Sequence, residues 1–526
     1  MRLIIPAIWF LCTAVFGYAD AYLRQPAVDV IHYDISVELS DASDSIAGTT
    51  RIDVRMLAEE VSGMRLDFAG MQVDGLRVQG IQRNFSLRSD NLSFDFGRKY
   101  NRGDIVTVAV RYHGKPERGL LIGTNQYGHR VFFAENWPDS AHYWFPCIDH
   151  PSDKATARIT VTAPLRYDVV SNGTLVQTRL LPDGRKRTQW AERKPIPTYC
   201  MVFGAAEFAV AHQPRVNSVP VDWYSYPEDS GAAARRFART ASVIAYFSSL
   251  IGPYPYEKLA QVQASVRFDG MENASAIFYG ESLFQGRSVA PLAHEIAHQW
   301  FGDSVTEADW DQLWLSEGFA TYFDALFDEH IEGPGSLKQA MHRLAENLFL
   351  SPSSRSQPVI DPSQTDLMRK LNALNYQKGA WILHMLRGML GDAQFFRGIR
   401  NYYRMYAGGN ATSENFQKAM EAVSGVSLEN FFGQWLYRPG WPEYAVSWHW
   451  DREAGEAEVT VRQKQTGGLF DMPIIIAFEM ENGRETRKLR VFEAAQVFRI
   501  PLPSTLLSIQ IDPGGWLLKS AAVESR

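Results

Sequence analysis

The stretch His294-Glu295-Ile296-Ala297-His298-Gln299-Trp300 decides how the rest of the chain is read. Residues four apart share a helix face, so His294 and His298 can grip one metal ion. Neutral imidazole suits zinc, and Glu295 falls where it can take a proton from a water on the metal. A catalytic zinc site has three protein ligands and one open position, which asks for a third donor. Glu317, in Trp314-Leu315-Ser316-Glu317-Gly318-Phe319-Ala320, is the candidate. Eighteen residues lie between it and His298, room for one helix to end and a second to return a carboxylate to the same point. Glu317 also admits a plainer reading, a solvated acid at a helix start. Its aromatic and apolar neighbours speak for an interior helix, where a carboxylate needs a partner such as a metal.

Around that stretch the chain has 526 residues, too many for one core. Its 45% hydrophobic and 21% charged content is that of a folded globular protein. The net charge of -6 and the lack of a basic block exclude nucleic acid as a partner. Arg2, the apolar run Leu3 to Val15, and small residues at Gly17, Ala19 and Ala21 read as a signal peptide over 1–21. The run contains Pro6 and is short for a membrane span. The expectation is an exported protein, periplasmic or secreted, with no stable membrane insertion. Of three cysteines, Cys12 lies in that leader; Cys147 and Cys200 can pair or stay as small buried side chains.

Residues 22–212 carry a β pattern: Tyr33 to Leu39, Thr50 to Met56 and Ile105 to Tyr112 alternate polar and apolar. One antiparallel β domain is expected there. Residues 213–438 form the catalytic region, with helical spacing over Ala232 to Leu250, strand-like Leu259 to Phe268, a turn at Asp269-Gly270, and mostly helix from Ala290 to Trp435. Arg438-Pro439-Gly440-Trp441-Pro442 stops the helices, and 439–526 resumes alternation with a hairpin signal at Asn482-Gly483, a small β-sandwich. The fold class is therefore multidomain α+β.

Two further motifs flank the metal stretch: Asp269-Gly270-Met271-Glu272-Asn273-Ala274 upstream and Asn375-Tyr376-Gln377-Lys378-Gly379-Ala380 downstream. With Phe145-Pro146-Cys147-Ile148-Asp149 and Pro253-Tyr254-Pro255-Tyr256, the set resembles the aminopeptidase N family of zinc exopeptidases, relatives of leukotriene hydrolase, from roughly Phe133 to Trp441. The resemblance implies a β-saddle domain, a thermolysin-like catalytic domain and one zinc ion per chain. It implies His294, His298 and Glu317 as ligands, Glu295 as general base and Tyr376 as hydrogen-bond donor to the oxyanion. It implies Glu272, with Gly270, Met271 and Asn273, as the cradle for a peptide's free α-amine, and peptides with a free N-terminus as substrates. Taken alone, Tyr376 is equally an aromatic on a buried helix face, and Glu272 a turn carboxylate.

The chain departs from the family pattern at three points. Asp269 stands where the amine motif has Gly, and a side chain there crowds the backbone or alters the turn. Glu135 takes the first Gln-like position of the second amine anchor, and Trp137 replaces its second polar residue. No room remains after the β-sandwich for the large helical C-terminal domain, which implies a short form with an open route to the site. Asp311 is either a contact for a basic side chain of the peptide or a structural loop carboxylate.

Overall fold

The computed structural model describes residues 20–286 and 291–525. The expected leader therefore lies, up to Ala19, outside the described residues. No helix among the described residues is long and apolar enough to cross a membrane.

The N-terminal region is built of strands, as the alternation requires. Tyr33, Ile35 and Val37 of Val28–Glu38, and Ile52, Val54 and Met56 of Ile46–Met56, all turn into one core. These strands lie in an eight-stranded sheet, with a four-stranded and a three-stranded sheet packed around them. The sheet is not purely antiparallel as the sequence suggested: Val28–Glu38 runs parallel to Lys154–Pro164. A parallel pair needs a long crossover, and the strands between Glu38 and Lys154 supply it.

Strand Ala209–Val216 pairs with Val219–Ser225 in the next sheet, so the chain passes between regions a few residues before 212. That sheet continues through Leu259–Ala264 and Ala276–Gly280, both buried along their whole length, to the edge strand Gly270–Met271. Two expectations shift here. The strand starting at Leu259 ends at Ala264, not Phe268. Gly270 is not in a turn but pairs with Tyr279, and the reversal falls on Glu272 to Ser275, with Ser275 at φ 61°. The hairpin is closed by the Ala276 N–H donating to the Asn273 carbonyl.

Helices Leu292–His298, Trp314–Glu332, Pro334–Leu350, Gly379–Leu390, Asp392–Tyr406, Ser413–Ser424 and Glu429–Leu436 complete the middle region around Trp314, Phe319, Phe416 and Phe432. The helix expected from Tyr376 begins instead as a wide turn, Leu374–Lys378, in which the Lys378 N–H reaches back to the Ala373 carbonyl. Such one-turn π segments recur at functional sites. The C-terminal region is a four-stranded sheet facing a three-stranded one, with the hairpin Met472–Met480 and Gly483–Val491 where Asn482-Gly483 placed it. It docks on the helices through Trp516, stacked 4.5 Å from the His384 ring.

Candidate metal centre and active site

Helix Leu292–His298 is short, and its first-turn N–H groups have no cap from Pro291. Asp324, from the neighbouring helix Trp314–Glu332, accepts from the His294 backbone N–H. Burial raises the Asp324 carboxyl to about 6, against the lowering effect of His294. The two imidazoles present Nε2 to one another at 3.1 Å, with ring planes 80° apart. Glu317 Oε2 lies 3.3 Å from His294 Nε2 and 3.4 Å from His298 Nε2.

These three atoms fit a zinc ion. A tetrahedron with bonds of about 2.0–2.1 Å has edges of about 3.3–3.4 Å, close to the spacing seen. Glu317 Oε2 is buried and has no hydrogen-bond partner. His298 Nδ1 meets the Phe301 carbonyl at 3.1 Å and Ser316 Oγ at 2.9 Å. A carbonyl only accepts, so Nδ1 carries the proton and Nε2 keeps its lone pair for a metal. The acids Glu272, Glu295, Glu317 and Asp303 outnumber the imidazoles, an imbalance that a divalent cation offsets.

Burial raises the carboxyls of Glu272 and Glu295, and the neighbouring acids raise them further; His298 opposes this. For Glu317 burial also raises the carboxyl, but the facing imidazoles outweigh it and bring it to about 2. Glu295 lies against the bare Cα of Gly270: a methyl group there would meet its Oε1 at 2.2 Å. Glu272 is 6% exposed and shares a cluster with Glu295 and His298, with ligand atoms within 4.8 Å of one another. It is no surface turn carboxylate.

Gln299, the residue after the second histidine, joins the amine motif to the metal helix. Its amide donates to the Glu272 carbonyl at 2.7 Å and to Asp303 Oδ2 at 2.8 Å. Its oxygen accepts from the Ser275 N–H and the Tyr254 hydroxyl. Tyr376 lays its ring parallel to His294, 6.0 Å between centroids. Its phenol is pushed well above its ordinary value by burial and by Glu317, Glu272 and Glu295, so it stays an O–H donor. The Glu317 and Tyr376 segments meet backbone to backbone at Gly318 and Gly379, where a Cβ on Gly318 would fall 2.8 Å from Gly379 Cα.

The structure thus gathers Glu272, His294, Glu295, His298, Glu317 and Tyr376 in one place, on the flank of the edge strand Gly270–Met271. Asn273 is fully buried, with both amide atoms lacking a hydrogen-bond partner. Glu135 is otherwise engaged: its oxygens accept from the Arg267 backbone N–H and Nε, each at 2.6 Å. Trp137 packs edge-on against Phe268 and Trp310. Asp269 turns outward to Ser282 Oγ and does not crowd the site. Asp311 pairs with Lys370 at 2.6 Å. Cys147 and Cys200 are separate buried thiols, and Cys200 Sγ donates to Asp303. Sequence reading missed Gln299, Ser316, Asp324 and the Gly318–Gly379 contact; only the places of Gln299 and Ser316 beside ligands hinted at a role.

Residues 236–435 match the peptidase family M1 domain and residues 30–200 the peptidase M1 N-terminal domain. Among similar proteins, probable aminopeptidase 1 of Sulfurisphaera tokodaii is 26% identical over 87% of this chain and 59% of its own length. Human glutamyl aminopeptidase is 26% identical over 80% of this chain and 47% of its own. Aminopeptidase 2, mitochondrial, of Saccharomyces cerevisiae is 28% identical over 86% and 51%. The chain spans about half the length of these relatives.

Proposed function

The chain belongs to peptidase family M1, and from that premise and the site geometry we propose that it is a zinc-dependent aminopeptidase. It removes the first residue of peptides that have a free N-terminus. The observation that carries this reading is a three-ligand metal cluster beside a second buried carboxylate, Glu272, which lies within 4.8 Å of the ligand atom of His298. A metal cluster alone serves any metallopeptidase. A carboxylate facing a protonated α-amine adds a charge-assisted hydrogen bond that an internal peptide bond has no group to satisfy.

His294, His298 and Glu317 hold the ion, and zinc when bound supplies Lewis acidity towards the scissile carbonyl and the attacking water. Glu295, held over Gly270, accepts the proton of that water and hands it to the leaving amine. The Tyr376 hydroxyl donates to the oxygen on which negative charge develops. Gly270–Met271 has an unpaired outer edge where a peptide backbone adds as a further strand. We further propose that the chain is exported once the leader expected over 1–21 is removed.

Two experiments test the assignment. A short peptide is offered free and N-acetylated; equal turnover of both sinks the exopeptidase reading. In Glu295→Gln, metal content by mass spectrometry stays at one zinc per chain while hydrolysis falls by about 100-fold or more. Wild-type turnover by that variant overturns the mechanism.

A further inference from the structure

The turn that carries Glu272 is gripped by groups outside its own motif. The Ala274 carbonyl accepts from the Asn172 amide at 2.6 Å. The Ser275 carbonyl accepts from Lys258 Nζ at 2.8 Å and from the Ala260 N–H at 3.0 Å. The Ser275 hydroxyl accepts from the Gly173 N–H at 2.7 Å and donates to Glu192 at 3.1 Å. Asn172, Gly173 and Glu192 belong to the N-terminal β region. Lys258 joins the two regions, since its ammonium also donates to the Ser171 carbonyl at 2.8 Å.

Two observations make this more than packing. Ser275 stands at φ 61°, a left-handed backbone that a serine keeps only where its surroundings hold it. Released, the turn has a lower-energy shape to relax into, and Glu272 lies three residues away. The grip is also buried and directional. Lys258 is 4% exposed and Asn172 2%. Asn172 spends its remaining groups on the Cys200 carbonyl at 2.8 Å and the Val202 N–H at 2.7 Å, which fixes the orientation of its amide. The Lys258 ammonium is kept in the interior by Glu192 and Glu257 and by the Trp190 ring 5.1 Å away. The metal cluster takes no part in these contacts.

Resting on the reading of Glu272 as the amine anchor, we propose that Lys258 and Asn172 are positioning residues. They hold the strained turn so that the Glu272 carboxylate meets the α-amine of the peptide, and the N-terminal β region thereby sets how tightly a free amine is bound.

The test separates the amine from the metal. Leucine hydroxamate and isocaproyl hydroxamate, the same molecule without its α-amine, are titrated by calorimetry into zinc-loaded wild type, Lys258→Met and Asn172→Ala. We expect wild type to bind the amine-bearing compound tighter by about tenfold or more, the worth of a hydrogen bond to a charged group. In each variant that ratio shrinks to about threefold or less, while affinity for the isocaproyl compound stays within about twofold. KM for leucyl amide rises more than kcat falls. Should Lys258→Met not fold, Asn172→Ala, which leaves the ammonium in place, gives the same reading. A wild-type ratio in the variants, or equal weakening of both hydroxamates, overturns the positioning role alone. Wild type that binds the two compounds equally overturns the amine reading of Glu272 beneath it.

Discussion

Gly318→Ala adds one methyl group at the point where the Glu317 helix crosses the Tyr376 segment. The new Cβ would lie 2.8 Å from Gly379 Cα, 2.9 Å from its carbonyl carbon and 3.2 Å from the Asn375 carbonyl oxygen. All three are backbone atoms and cannot rotate away. Ordinary carbon contacts need about 3.5–4.0 Å, so the two segments must part by roughly 1 Å. Overpacking of this kind costs about 1–3 kcal/mol, which lowers the melting temperature by roughly 2–12 °C in a domain of this size. The effect on rate is larger. Glu317 precedes the contact by one residue and Tyr376 precedes Gly379 by three, so ligand and oxyanion donor separate. A misplacement of about 1 Å can cost on the order of 100-fold. The assay is kcat and KM on an aminoacyl amide, with zinc content and melting temperature measured on the same sample. Gly433→Ala is the control: Gly433 sits in helix Glu429–Leu436, and its Cβ would meet nothing within 4 Å. That variant should keep its rate and gain about 0.5–1 kcal/mol from helix propensity. If Gly318→Ala melts and turns over like wild type, the backbone contact is not what aligns the two side chains.

Gln299→Leu strips the Gln299 amide from the Glu272 carbonyl, the Ser275 N–H and Asp303 Oδ2, while the Tyr254 hydroxyl keeps the Lys258 carbonyl. At about 1–3 kcal/mol for each buried group left unpaired, thermal melts should show a loss of several degrees. KM for free-amine peptides should rise more than kcat falls; an unchanged KM would separate Gln299 from the amine cradle. His384 makes the docked C-terminal region sensitive to acid: burial pushes its imidazole down to about 4, although the Gly515 carbonyl it bonds opposes this. The folded form is the neutral one, so its contribution is complete above about pH 6.5 and is lost as pH falls towards 4, about 3 kcal/mol in all. Melts of wild type and His384→Leu between pH 7 and pH 4 should show a shallower slope in the variant, and identical slopes would refute the assignment. Chelation should abolish hydrolysis and zinc should restore it, with a lower melting temperature in the stripped protein. Because Cys147 and Cys200 are separate thiols, a reductant should leave the melting temperature unchanged.

The strands were legible where one face is buried: period two in Tyr33, Ile35 and Val37 survives into the sheet because a half-buried strand must alternate. The parallel pairing of Val28–Glu38 with Lys154–Pro164 was not legible, since alternation says which face is buried and not which neighbour lies alongside. Tyr376 to Lys378 read as the start of an ordinary helix because a single π turn is too short to leave a spacing of its own in the sequence. Glu135 was matched to an amine anchor by position. Its engagement by Arg267 depends on two segments 132 residues apart meeting in space.

The order of chemical groups along the chain was settled by sequence alone. Two histidines one helical turn apart, an acid between them and a carboxylate on a later apolar helix are local facts, because a helix maps spacing directly onto a face. Distance between segments is not local. Whether Glu317 comes within 3.4 Å of both imidazoles, whether Gly318 lets Tyr376 approach, and which distant residues grip the Glu272 turn are fixed by packing. Packing is a property of the whole core, in which each contact depends on residues far away in the chain, so those answers existed only once the chain had folded.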